Sequence, residues 1–104
     1  MESIITDYRE LSVISNAPRE CTHHCIFGNG RHELADKDGL TIPMTNAEHN
    51  MGKYALHENP TAEMLSKIIG QLAWEKEYIA KRTDRDLRHE AREAFRKRYG
   101  ESYL

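Results

Sequence analysis

Cys21-Thr22-His23-His24-Cys25-Ile26-Phe27-Gly28-Asn29-Gly30 decides how this chain is read. A short run of apolar residues and Thr that ends in Gly-Asn-Gly reads as a strand entering a turn. Neighbouring strand residues point to opposite faces, so His23 and His24 cannot both lie on one face of a sheet. One of them can hold a metal while the other, turned away, keeps a free imidazole for proton transfer. His49 and His57 follow beyond a loop, and the rest of the chain reads as scaffold around these four histidines.

Working outward, Ser12 to Glu20 reads as a tight knuckle with Asn16 and Pro18 as turn residues. On the other side, Arg31 to Asp38 is polar, a short helical turn ended by Gly39. Leu40-Thr41-Ile42-Pro43-Met44 alternates like a second short strand, and Pro43 places it at a sheet edge or strand end. Thr45 or Asn46 can cap a helix, and Glu48, three residues beyond Thr45, completes a capping box. His49 then falls in the first turns. His57 lies about two turns further on and near the same face if the helix persists past Asn50-Met51-Gly52.

Asn59-Pro60-Thr61 closes that unit. Met64, Leu65, Ile68, Ile69, Leu72 and Ala73 then recur at helical spacing, with Trp74, Tyr78 and Ile79 continuing the stripe. Such a stripe is core or dimer contact rather than a cofactor box. A second, charged helix is expected from Thr83-Asp84 to about Tyr99, stopped by Gly100. The expected fold class is α+β and mostly helical: a single domain over 1–104, with a small strand–strand–helix core in 1–59 and a helical extension in 60–104.

With 104 residues, 38% hydrophobic and 31% charged, the chain has limited core material that a metal or a second copy could supplement. No apolar run approaches a membrane span and the N-terminus lacks a signal-peptide pattern, so no membrane partner and a cytoplasmic setting are expected. Two cysteines do not make a disulfide framework. The net charge of −2 argues weakly against nucleic acid, yet residues 81–99 hold eight Lys/Arg against four Asp/Glu. Arg85, Arg88, Arg92 and Arg96 are candidate phosphate contacts on that basic helix, and the alternative is a solvated helix laced with ion pairs.

Three imidazoles, His23, His49 and His57, suit zinc, nickel and similar divalent ions and leave positions open for water or a phosphate oxygen. His24 would activate a water, and Arg31 could steady developing charge. Cys21, His23 and Cys25 share one strand face and form a competing metal set. His32 and His89 are read as surface or satisfied residues.

Thr22-His23-His24-Cys25-Ile26-Phe27-Gly28-Asn29-Gly30, Asp38-Gly39-Leu40-Thr41-Ile42-Pro43, His49-Asn50 and Ala55-Leu56-His57-Glu58-Asn59 together resemble small phage-type HNH endonucleases over about residues 10 to 79. The closing Arg98-Tyr99-Gly100-Glu101-Ser102-Tyr103-Leu104 is also similar to such phage proteins. The resemblance implies a ββα-metal core that cuts or nicks DNA with one divalent ion, such as Mg, Mn, Ni or Zn. By position, His24 resembles the general base, His23 the first metal ligand, and His49 and His57 the ligands from the helical side. Asn46 and Asn50 are candidates for the motif's asparagine.

Many members of that family hold a structural zinc with two Cys-x-x-Cys pairs. The matching positions here are Ser12, Ser15, Thr45 and Glu48, so no structural zinc is expected: either packing and capping, with Thr45 and Glu48 as a capping box, replace the metal, or the domain is looser. The expected function is a phage- or prophage-encoded, metal-dependent DNA endonuclease or nickase. The alternatives are a catalytically silent HNH-like module that binds DNA or a phage or host protein, and a plain metal-binding or dimerisation domain. A homodimer would suit a small chain with a long apolar helix.

Overall fold

The computed structural model describes residues 1–82 and 87–104; the expected helix start at Thr83-Asp84 and Arg85 lie outside the described residues. Two strands, β1 (Cys21–His24) and β2 (Thr41–Met44), pair antiparallel with His23 opposite Ile42 and His24 opposite Thr41. Between them the chain makes a helix, α1 (Arg31–Asp38), bracketed by Gly30 and Gly39 at φ of +83° and +72°. Only glycine takes this backbone readily, and at Gly39 a Cβ would also fall 2.4 Å from the Glu2 carbonyl oxygen. Two short turns follow, a π-helical one at Ala47–Met51 and a 3-10 one at Leu56–Glu58. Helices α2 (Pro60–Ala80) and α3 (Arg88–Tyr99) complete an α+β chain with about half of its residues helical.

The knuckle forms as expected: Leu11 bridges Pro18, and the backbone of Val13 donates to the Pro43 carbonyl at 3.1 Å, covering β2. The four positions Ser12, Ser15, Thr45 and Glu48 do meet, through hydrogen bonds. Ser12 Oγ donates to Glu48 Oε1 at 2.5 Å, the Thr45 N–H donates to the same oxygen at 2.9 Å, and the Glu48 N–H donates to Thr45 Oγ1 at 3.2 Å. The last two contacts are a capping box. Burial works against the charge on Glu48, but the hydrogen bonds from Ser12, Ser15 and Thr45 outweigh it and hold the carboxyl down at about 2.

The helix carrying His49 is interrupted within Asn50-Met51-Gly52 and does not persist to His57, because Gly52 turns to extended backbone (φ −94°, ψ 161°) and ends it after one turn. The apolar stripe of α2 meets the core only in part, through Ala73 and Trp74. Met64, Leu65, Ile69 and Leu72 are 46, 53, 45 and 52% exposed, while Ser66, Gly70, Gln71 and Glu75 face inward. The inward face is polar and small because it serves contacts that large apolar side chains cannot make. At Gly70 a Cβ would sit 3.0 Å from Cys25 Cβ and 3.1 Å from Ile26 Cγ1, so α2 lies almost backbone-to-loop on the end of β1. Gln71, fully buried, donates to Glu75 at 2.7 Å and to Ser102 at 2.9 Å and accepts the Tyr103 N–H at 2.6 Å, which ties the last residues down.

The start of α2 is capped as its sequence asks: Asn59 Oδ1 accepts from the N–H groups of Thr61 and Ala62, and Pro60 occupies the first turn. Helix α3 buries Ala91, Phe95 and Tyr99 at four-residue spacing. Phe95 and Tyr99 join Cys25, Ile26, Ala35, Leu40, Ile42 and Met44 in one core cluster, which therefore draws on both sides of residue 59. Asp38, at the end of α1, gathers the helices: it accepts from Trp74 Nε1 at 3.0 Å, from Tyr99 Oη at 2.7 Å and from Arg98 through two bonds of 2.7 Å. Among the described residues no helix is long and apolar enough to cross a membrane.

Candidate metal centre

His23 points inward from β1 and is 1% exposed. His49 comes from the π-helical turn and His57 from the 3-10 turn, and one nitrogen of each of the three lies within 4.8 Å of the others. The cleft they line, about 160 Å³, also contains His24, His32, Thr22 and Phe27. The Phe27 ring stands edge-on to His57 at 5.0 Å and to His23 at 5.8 Å, an apolar wall for the site.

The hydrogen bonds decide which nitrogens are bare. Behind His23, Ser66 Oγ lies 2.6 Å from Nε2 and 2.9 Å from the buried carbonyl oxygen of Cys25. A carbonyl only accepts, so the single hydroxyl proton goes to Cys25 and Ser66 accepts from His23 Nε2–H. His23 Nδ1 is left as a bare lone pair, buried and without a partner. Behind His57, Glu63 Oε2 lies 2.9 Å from Nδ1. A carboxylate only accepts, so Nδ1 carries the proton and Nε2 is bare. That Nε2 faces His49 Nε2 at 3.1 Å, a gap in which two lone pairs repel unless a proton or a cation lies between them. An orphaned buried nitrogen and a facing pair of nitrogens fit a divalent ion held by His23 Nδ1, His49 Nε2 and His57 Nε2.

The electrostatics favour the neutral form of His23 and His49. Burial first, and then the neighbouring charges of His49, His57, His24 and His32, push His23 down to about 3. Burial, His57 and His24 lower His49. A metal ligand must be an unprotonated imidazole, and protonation is what this crowding penalises.

His24 leaves β1 on the opposite side. Its Nε2 is 3.0 Å from Asp36 Oδ1, and its ring lies over His32 with centroids 3.6 Å apart. His32, read from sequence as a bystander, thus lines the cleft, whereas His89 is exposed on α3. The four-residue spacing of His32 and Asp36 was the available signal, because on a helix it places both on one face.

The other candidates are placed elsewhere. Arg31 pairs with Glu101 at 2.6 Å and donates to Tyr103 Oη at 3.2 Å, and it is not among the residues lining the cleft. Arg92 pairs with the buried Glu75 at 3.2 Å and Arg96 with Glu93, and Arg88 is exposed at the start of α3. Cys21 Sγ lies near the carbonyls of Met44 and Thr45, and Cys25 is in the core with its thiol pushed up to about 12 by burial. Among the described residues the three histidines, and not the cysteine set, form the group able to hold an ion. Asn46 and Asn50 are exposed, and the Asn46 N–H donates to Glu20 at 3.0 Å.

Compared with protein families, curated proteins and solved structures, the chain matches none of them.

Proposed function

We propose that this chain is a metal-dependent DNA endonuclease or nickase of the HNH type, hydrolysing phosphodiester bonds with His24 as general base. One observation carries the reading. Three imidazoles with assigned bare nitrogens converge from an antiparallel strand pair and the helical turns after it, and a fourth imidazole on the opposite strand face opens into the same cleft. His23, His49 and His57 would hold a divalent ion, which would supply Lewis-acid polarisation of a phosphoryl oxygen and charge stabilisation at the leaving oxygen. The chain's own residues do the rest. His24 takes the proton of the attacking water, Phe27 walls the site, and Ser66 and Glu63 hold the ligand rings in register.

Arg31, engaged by Glu101 and Tyr103, is left out of the catalytic set. The candidate phosphate contacts on α3 are Arg88, Arg92 and Arg96, and the pairing of Arg92 with Glu75 and of Arg96 with Glu93 lowers the charge they can offer. Affinity for DNA is therefore modest, with a small salt slope that reflects the few phosphates met.

The test is a plasmid assay with magnesium, manganese, nickel or zinc, run beside His24→Ala. Conversion of supercoiled DNA to open circles or linear form by the parent, lost in His24→Ala with metal affinity retained, is the expected result. Intact plasmid in every ion, with the protein folded and metal-loaded, would leave a binding module and sink the nuclease.

A further inference from the structure

We propose that α1 is a clamp that positions His24: Asp36 holds its Nε2–H, His32 covers one face of its ring, and Nδ1 is left as the nitrogen that accepts the proton. This rests on the nuclease reading above and specifies the supporting residues of its base.

The geometry is local and specific. Asp36 Oδ1 is 3.0 Å from His24 Nε2, and an ionised carboxylate can only accept. In the neutral ring the proton is therefore on Nε2 and the lone pair on Nδ1. His32, one helical turn earlier, lies across the ring at 3.6 Å between centroids and a tilt of 39°. One contact holds the ring's edge and the other its face, so both side-chain torsions are restrained. Both come from α1, which the chain inserts between the two strands that pair.

Three further contacts keep α1 in place. The Cβ-free Gly39 lets its C-terminus approach Glu2, the Ile4 N–H donates to the Gly39 carbonyl at 2.9 Å, and Asp38 binds it to α2 and α3.

A stability role does not account for the pair. The Asp36 side chain is 62% exposed, and an exposed carboxylate contributes little to folding. What the contact does supply is orientation, which a general base needs because it must meet the proton of its water at hydrogen-bond distance. Asp36 and His32 are thus positioning residues, and neither touches the reacting atoms.

The experiment has two readouts. Long-range proton–nitrogen NMR of histidine-labelled protein, at mildly alkaline pH, reports the tautomer of His24 without reference to activity. Steady-state plasmid nicking, with manganese or magnesium, reports kcat and KM. The parent is expected to show the Nε2–H tautomer of His24. Asp36→Ala is expected to lose that single tautomer. Its kcat should fall by about 10- to 100-fold, part of the roughly 10²–10⁴ that a general base contributes, while metal affinity and the KM for DNA stay put. Asp36→Asn keeps an acceptor oxygen and should recover both readouts. His32→Phe keeps a ring on the stack and should outperform His32→Ala.

An Nδ1–H tautomer in the parent, or an Asp36→Ala protein with unchanged kcat, would overturn the clamp. A parent that cuts no DNA overturns the nuclease reading and the catalytic half of this proposal, and the tautomer then judges the geometry by itself.

Discussion

Ser66→Ala is the sharpest probe of the metal centre, because it alters a residue that would touch neither ion nor substrate. Ser66 is 3% exposed, and its hydroxyl serves two buried groups, His23 Nε2 at 2.6 Å and the Cys25 carbonyl at 2.9 Å. Alanine leaves both without a partner. Each buried polar group so orphaned costs about 1–3 kcal/mol, and the lower half of that range applies where a hydroxyl-sized space lets neighbours relax, so the pair amounts to about 2–4 kcal/mol. For a chain of this size that is a fall in Tm of roughly 8–30 °C. The second effect is chemical. Without an acceptor at Nε2, His23 gains nothing from keeping its proton there, and Nδ1 is no longer held bare. Losses of outer-shell partners lower metal affinity by about 10- to 100-fold.

The assay pairs urea unfolding of the metal-free protein with a competition titration using zinc or cobalt and a chromophoric chelator. A variant that unfolds earlier yet binds metal as tightly as the parent would refute the tautomer assignment, since a purely structural hydroxyl produces that pattern.

The remaining predictions are simpler. Glu63→Gln keeps a hydrogen-bond acceptor at His57 Nδ1 but removes the charge, so metal affinity should fall by about tenfold, measured by the same titration. Glu48 has a folded value of about 2 against an ordinary 4.5, so its stabilisation is complete above pH 4.5 and drains away as pH falls toward 2. Urea midpoints across that window should fall for the parent and fall less for Ser12→Ala, which also loses about 1.5–3 kcal/mol at neutral pH with its charge-assisted bond. Gly70→Val drives two methyl groups toward Cys25 and Ile26, already 3.0 and 3.1 Å from a bare Cβ position, and should cost about 1–3 kcal/mol despite a better helix propensity than glycine. A Gly70→Val protein with parental stability would mean that α2 can back away from β1.

Much of the site was legible because its logic is local. Adjacent histidines before Gly-Asn-Gly fix opposite strand faces by period alone, and the structure buries His23 while turning His24 to Asp36. The Thr45–Glu48 box formed from a three-residue spacing. What stayed hidden depends on pairings across long stretches of chain. Periodicity shows that α2 has an apolar stripe, but the side facing the core depends on what the core asks of it. Here it asks for a hydroxyl under His23, a glycine against Cys25 and an amide for the C-terminal segment. The spacing of His32 and Asp36 puts both on one helix face, but that this face lies over His24 follows from how α1 docks on β1. The break at Gly52 was suspected from the sequence, yet nothing local shows that His49 and His57, on two separate turns, would still meet nitrogen to nitrogen.

The two cysteines have a practical consequence. The Cys25 thiol is fully buried and pushed up to about 12, and that of Cys21 is also raised, by burial and then by the charges of Glu20 and Glu48. Thiolate is the form that air, peroxide and alkylating agents attack, and both side chains are held in the other form. Oxidation and alkylation of both thiols should therefore be slow, which thiol counts before and after storage without dithiothreitol or mercaptoethanol would check. Those reagents are themselves strong ligands for zinc and nickel, so every metal titration described above can be run with no thiol in the buffer to compete for the ion.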